Sequence, residues 1–253
     1  MKSKLFIIIL LLFSTSNVFA ETTHTSDDSL LYHVQGKIKN AFLNSFQSHN
    51  PAKLETIEKK LKNFKNTNRI VQYWRAYTLC YESIYHIKMG NKRASLKKLK
   101  KGINILKIIK TKSSDDYALL AMMQGYAIQF SGGMHAAVLA TKAKRNAQNA
   151  VDLDKKNVRA WYVQGLNNYH TPKQFGGKTI VKICLTKAIS LKEENRQNPY
   201  LPTWGKVQSY GLLVTFYINQ KKFAKAQKVL KTGLKKYPDN YTLKQDEKTL
   251  ADK

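Results

Sequence analysis

The chain has 253 residues, 43% of them hydrophobic and 24% charged, and a formal net charge of +28. This composition supplies enough apolar material for a sizeable core and makes no case for disorder. The charge is carried far more by Lys than by Arg, whose planar fork suits bidentate phosphate and base contacts, so it argues for a solvated lysine surface rather than a specific nucleic-acid site.

Residues 1–20 begin with Lys2 and Lys4, continue through an apolar run from Leu5 to Phe13 and end in Val18-Phe19-Ala20. A basic start, a short apolar core and a small residue at the end form the pattern of a secretory signal peptide, cut after Ala20. The apolar run is too short to span a bilayer and no later run is longer, so an uncleaved anchor is the weaker alternative. The localisation expected is periplasmic or secreted. Loss of the two lysines with the leader leaves a charge of +26, and a basic exported protein can adhere to anionic lipid heads, acidic glycans or other anionic envelope polymers. Cys80 and Cys184 fall in different predicted hairpins, with a whole hairpin between them, and are read as buried apolar residues rather than a bridge.

From Ser29 to Phe46, the residues Leu30, Leu31, Val34, Ile38, Phe42 and Phe46 recur at helical spacing. Asn50-Pro51 then caps a second helix with the stripe Leu54, Ile57, Leu61 and Phe64. Residues 21–66 are therefore expected to form an N-terminal capping hairpin. Arg69 to Lys88 is aromatic-rich, and Tyr73, Tyr77, Tyr81 and Tyr85 step by four along one helical face, a ridge suited to packing against a neighbouring helix. Gly90-Asn91 ends it. Lys92 to Lys110 is its partner, with Leu96, Leu99, Ile103 and Leu106 inward and Lys97, Lys98, Lys100 and Lys101 in solvent.

Ser113 to Asp116 forms a capping box before a helix over Tyr117 to Phe130, and Ser131-Gly132-Gly133 breaks it. His135 to Leu153 is rich in Ala, which favours the helix and allows close approach. Asn157 to Leu191 reads as a helix, a corner and a returning helix, with Pro172 stopping the first, Phe175 packed inward and Gly176-Gly177 at positive φ before a second helix from Lys178. A polar connector, Lys192 to Pro202, leads to helices over Trp204 to Asn219 and Lys222 to Lys236. Asn240 caps a short closing helix, so residues 239–253 are a terminal cap with a wettable face.

The hairpins over residues 67–238 share a skeleton. Tyr210, Leu213, Val214 and Tyr217 are followed by Ala226, Leu230, Gly233 and Pro238. Trp161, Gln164, Gly165 and Asn168 are followed by Val181, Leu185 and Ala188. Gln124 and Gly125 pair with Ala143, Ala147 and Ala150, and Ser83 with Ser95, Leu99 and Gly102. This skeleton resembles the tetratricopeptide repeat (TPR), W-x2-L-G-x2-Y then A-x3-F and a closing Pro. The small residues stand where paired helices cross, since bulk there would force them apart. The resemblance covers roughly residues 69–238. It implies an all-α, right-handed α-solenoid of antiparallel helical hairpins. The spacing between crossing residues is 19 in the first and last repeats, 25 from Gly125 to Ala150 and 23 from Gly165 to Ala188, so the middle corners are lengthened. Gln164, Asn168 and Val181 depart from the usual repeat residues. The DLDKKNVRA linker and TPKQFGG corner are also similar to exported bacterial TPR proteins with an extended P-x-x-F-G-G turn. The periplasmic TPR component of some TRAP-type uptake systems is a more distant likeness. Such families imply partner binding rather than chemistry, so no enzyme activity is expected.

Catalytic and metal motifs are wanting. Gly176-Gly177-Lys178-Thr179 resembles the end of a phosphate loop, but Pro172 stands where the first Gly belongs and a helix precedes it. The six histidines have no i, i+4 pair and no Cys cluster nearby, so no metal and no cofactor is expected. The aspartate pairs at helix starts are explained by capping and by the helix dipole. In a solenoid the working surface is the groove lined by the first helix of each hairpin, here expected to include Tyr126, Gln129, Arg159, Tyr162 and Tyr169. An Arg among tyrosines and amides suits an extended peptide or its acidic end. The expected function is an exported TPR-like scaffold binding a protein or peptide partner in the cell envelope. The alternatives are an accessory solute-binding component of an uptake system and a basic adhesive protein for anionic polymers.

Overall fold

The computed structural model describes residues 26–64, 68–192 and 197–251; the leader and the predicted cut after Ala20 lie outside them. Among the described residues the regular elements are all helical. They run α1 (Ser26–Leu31), α2 (Val34–Gln47), α3 (Ala52–Lys62), α4 (Arg69–Lys88), α5 (Lys92–Ile108), α6 (Ser114–Ala127), α7 (Gly133–Leu153), α8 (Val158–His170), α9 (Val181–Ser190), α10 (Lys206–Asn219), α11 (Phe223–Lys236) and α12 (Tyr241–Ala251). Short 3-10 turns occupy Ile128–Phe130 and Lys173–Phe175.

Consecutive helices pair as antiparallel hairpins, and α4, α6, α8 and α10 stack in series as inner helices against the outer α5, α7, α9 and α11. The result is an all-α solenoid. The repeats that begin at α4, α6 and α8 start on a side-chain cap, whereas the one at α10 starts on Gly205. Asn68 accepts from the amides of Ile70 and Val71, Asn91 from Ala94, and Asn157 from Arg159. Ser113 and Asp116 close a reciprocal capping box, satisfying two of the orphan donors of α6. The inner helices bury several faces at once, as α4 does with Tyr73, Trp74, Tyr77, Leu79 and Cys80. The outer helices bury one stripe and present lysines outward.

The small residues sit at the crossings. A methyl group on Gly165 would come within 2.9 Å of Leu185 Cδ2 and 3.2 Å of Cys184 Cβ, so α8 and α9 could not keep their separation. Cys80 and Cys184 are both buried and unbridged.

The structure corrects several local expectations. The helix expected over Ser29 to Phe46 breaks at Tyr32-His33, where His33 takes φ 51° and donates its amide to Pro199 O at 3.0 Å. The cause is a contact from the far end of the chain. Lys98 does not stand in solvent: it turns between Glu55 (2.9 Å) and the fully buried Glu82 (2.5 Å). Phe175 is 74% exposed rather than packed inward. In its corner only Gly176 has positive φ among the glycines. Gly177 is needed for space, since a Cβ there would lie 1.8 Å from Thr171 O. Lys178 is itself at φ 65°, and α9 starts three residues later than expected. Trp204 lies outside α10, which begins beyond Gly205 (φ 108°).

Candidate binding cleft

The inner face of the solenoid is not an open groove. The segment 197–205 between α9 and α10 folds back across it and is pinned along its length. Thr203 and Gln35 exchange two hydrogen bonds (2.8 and 3.0 Å), Trp74 donates to Tyr200 O (2.8 Å), and Trp204 donates to the Tyr73 hydroxyl (2.7 Å). The Trp204 indole lies near-parallel to Tyr77 at 6.1 Å and edge-on to Tyr162 at 6.1 Å. A layer of rings thus fills the middle of the inner face. Burial pushes the phenols of Tyr73, Tyr77, Tyr126 and Tyr162 above their usual range, so this layer carries hydroxyls and no charge near neutral pH.

What remains open is a cleft of about 370 Å³ at the edge where the inner helices begin. Its floor is the start of α6 (Ser113, Ser114, Asp115) and of α8 (Asn157, Val158, Arg159), and the strap residues Leu201, Thr203 and Trp204 wall one side. Arg69, Lys112, Lys156, Arg159 and Lys192 supply five cations against Asp115 and Asp154. The helix starts add partial positive charge to the same space.

A polar network fixes the floor. Asp115 Oδ1 accepts from Arg159 Nε (2.6 Å) and from Asn157 Nδ2 (2.6 Å). Asn157 Nδ2 also donates to Ser114 Oγ (2.8 Å), which donates to Ala150 O (2.7 Å). Arg69 bridges Ser113 Oγ and Asp116 Oδ2 at 2.8 and 3.0 Å. Arg159 is buried, yet no described residue accepts from its terminal guanidinium nitrogens. The pair with Asp115 sets the plane of the fork and leaves its outer N–H groups for a further acceptor.

Of the five residues expected to line the groove, Arg159 lines this cleft and the other four do not. Tyr162 is buried against Trp204, and Tyr126 is half-buried on α6. Tyr169 and Gln129 lie at the opposite edge. The Tyr169 hydroxyl accepts from Asn219 Nδ2 at 2.6 Å, and Gln129 is exposed in the 3-10 turn. Arg69, Lys112, Lys156, Lys192 and Trp204 were not singled out by sequence reasoning. The available signal was a Trp placed directly after a connector with Pro199 and Pro202.

No family model and no curated protein matches the chain. Solved structures share its fold. A thermophilic TPR protein of Thermus thermophilus superposes with a TM-score of 0.56 and 13% identity, over 85% of this chain and 98% of that one. The HusA haemophore from Porphyromonas gingivalis superposes with a TM-score of 0.52 and 16% identity, over 74% and 94% of the two chains. The likeness is one of fold: a TPR-like stack of helical hairpins.

Proposed function

We propose that the protein is an exported TPR-like scaffold that binds a protein or peptide partner in the bacterial cell envelope, and that it takes an acidic segment of that partner in the Arg159 cleft. The observation that carries this reading is the cleft itself. A buried, pre-oriented guanidinium faces open space beside four further cations and two helix starts, an arrangement suited to a carboxylate. The sequence of residues 1–20 supports export, and the TPR-like fold supports a scaffold rather than a catalyst.

The size of the cleft favours a second reading, an accessory component that carries a small acidic solute, since about 300–1,000 Å³ is the range of small-molecule sites. That a haemophore shares the fold is in keeping with such a role.

The test is a cross-linking pull-down of the tagged mature chain from the envelope fraction, repeated with Lys156→Glu/Lys192→Glu. Both lysines are exposed, so the double change leaves the fold intact. Recovery of a partner that survives moderate salt, is lost in the double variant and is competed by a peptide with an acidic C-terminus is the result expected. Recovery unchanged in the double variant and in Arg159→Ala removes the cleft as the binding site. Displacement by small dicarboxylates but not by the peptide favours the solute reading.

A further inference from the structure

The edge of the stack opposite the cleft, where each inner helix turns into its outer partner, has a different chemistry. Three of its corners lift a large apolar side chain into solvent: Met89 after α4, Met134 at the start of α7 (83% exposed) and Phe175 between α8 and α9 (74% exposed). Lysines stand at three corners of this edge, the Met134 corner having none. Lys88 and Lys92 flank Met89, Lys173 and Lys178 flank Phe175, and Lys221-Lys222 form the next corner, all exposed. Acidic groups are sparse on this edge among the described residues: Glu55, in the first turn of α3 near His86, is paired with Lys98 at 2.9 Å. Between Glu82 and Asp239 the described carboxylates are Asp115, Asp116, Asp152 and Asp154, and all four belong to the cleft edge.

Much of the backbone of the Phe175 corner is satisfied from within. Phe175 N and Gly177 N donate to Pro172 O (3.0 and 3.1 Å), and Lys178 N donates to Asn168 O (2.9 Å). The Asn168 side chain closes the corner by donating to Gly176 O (3.1 Å) and accepting from Ile180 N (3.0 Å). A corner with most of its peptide groups paired leaves water at less cost than an open loop. Apolar tips, with lysines at three of the corners and few described carboxylates to repel a negative surface, combine the two attractions that hold a protein on an anionic bilayer. The net positive charge of the edge also opposes its pairing with a second copy of itself. No helix among the described residues is long and apolar enough to cross a membrane, so contact through this edge is peripheral.

We propose that this edge seats on an anionic lipid bilayer, with Met134 and Phe175 entering the boundary between headgroups and acyl chains while the corner lysines meet the lipid phosphates. The cleft then faces away from the membrane.

The experiment uses the mature chain with vesicles of phosphatidylcholine, plain or containing about one-third phosphatidylglycerol. Phe175→Trp is the reporter and Leu153→Trp, exposed on the cleft edge, is its control. The emission of the Phe175→Trp variant should move to shorter wavelength only with the anionic vesicles, and that of the control should not move. Met134→Ser/Phe175→Ser should weaken vesicle binding about tenfold near 0.15 M salt, where exposed charges are largely screened. Lys156→Glu/Lys192→Glu should leave vesicle binding unchanged, which separates this surface from the cleft. Equal binding of the double Ser variant, equal shifts of both reporters, or a shift that depends on protein concentration without vesicles overturns the proposal; the last assigns the edge to a second copy.

Discussion

Trp204 donates its indole N–H to the hydroxyl of Tyr73 at 2.7 Å, joining residues 131 positions apart inside the inner face. Both side chains are buried. This bond and the ring contacts around it turn an otherwise open solenoid into one whose inner face is filled by its own connector. The strap ties α10 to α4 and, through Pro199 and Thr203, to the start of α2.

Trp204→Ala should destabilise the protein by about 3–5 kcal/mol, the cost of a buried aromatic replaced by a cavity. Trp204→Phe should cost about 1–3 kcal/mol, because the Tyr73 hydroxyl then loses its buried donor. Trp161, half-buried and bonded to Lys155 O in the α7–α8 turn, should be replaceable by Phe for less than about 1 kcal/mol. Urea unfolding followed by circular dichroism checks all three. Equal costs at 161 and 204 would remove the strap from its structural role.

Two adjacent lysines should behave differently. Lys98 neutralises Glu82, which is fully buried, and also reaches Glu55, whereas Lys97 points to solvent. Burial pushes the Glu82 carboxyl up and Lys98 opposes it without cancelling the shift. Lys98→Met should cost about 1–3 kcal/mol, the range for a buried polar group left without its partner. Lys97→Met should change stability by less than about 0.5 kcal/mol. Thermal melts of the two variants beside the parent chain make the comparison.

Neither thiol should react in the folded protein. Burial raises Cys80 to about 12 and Cys184 to about 11, so the thiolate is scarce near pH 8. An aromatic disulfide reagent should titrate no thiol until denaturant is added, and then two per chain. Rapid labelling of the native chain would place a cysteine at the surface.

Asp246 on α12 sets a pH dependence of opposite sign to an ordinary salt-bridged carboxylate. Burial raises it from 3.8 to about 6, so the folded state holds its proton more tightly than the unfolded one. The stabilisation is therefore complete below about pH 4 and is lost as pH rises through about 6. Asp246→Asn should raise the melting temperature at pH 7 and bring little gain at about pH 4.5. The effect should stay below about 1 kcal/mol because the side chain is partly solvated. A gain of equal size at both pH values would contradict this assignment.

The helices were legible in the sequence because their determinants are local. Apolar spacing in α4 and α11, the Asn68, Asn91 and Asn157 caps, the Ser113 capping box and the small residues at the crossings act within one or two turns of chain or within one hairpin. Those features were sufficient for the all-α hairpin stack. Arg159 was legible as a groove cation suited to an acidic partner, but Asp115, which orients it, lies in the preceding repeat and becomes a neighbour only when α6 and α8 stack in parallel.

The rest was decided by tertiary structure. The break at His33, the placement of Trp204 outside α10 and the closing of the inner face all depend on bringing residues 33–35, 73–77 and 199–204 together, and no local preference encodes that meeting. The tyrosines of α4 and α8 carry the same helical spacing whether they face a partner or their own connector. Which of the two they meet is set by the path of one connector. The sequence by itself determined the repeats and their charge. The tertiary structure decided where those repeats leave open space, because a cleft is the gap between elements and no single element contains it.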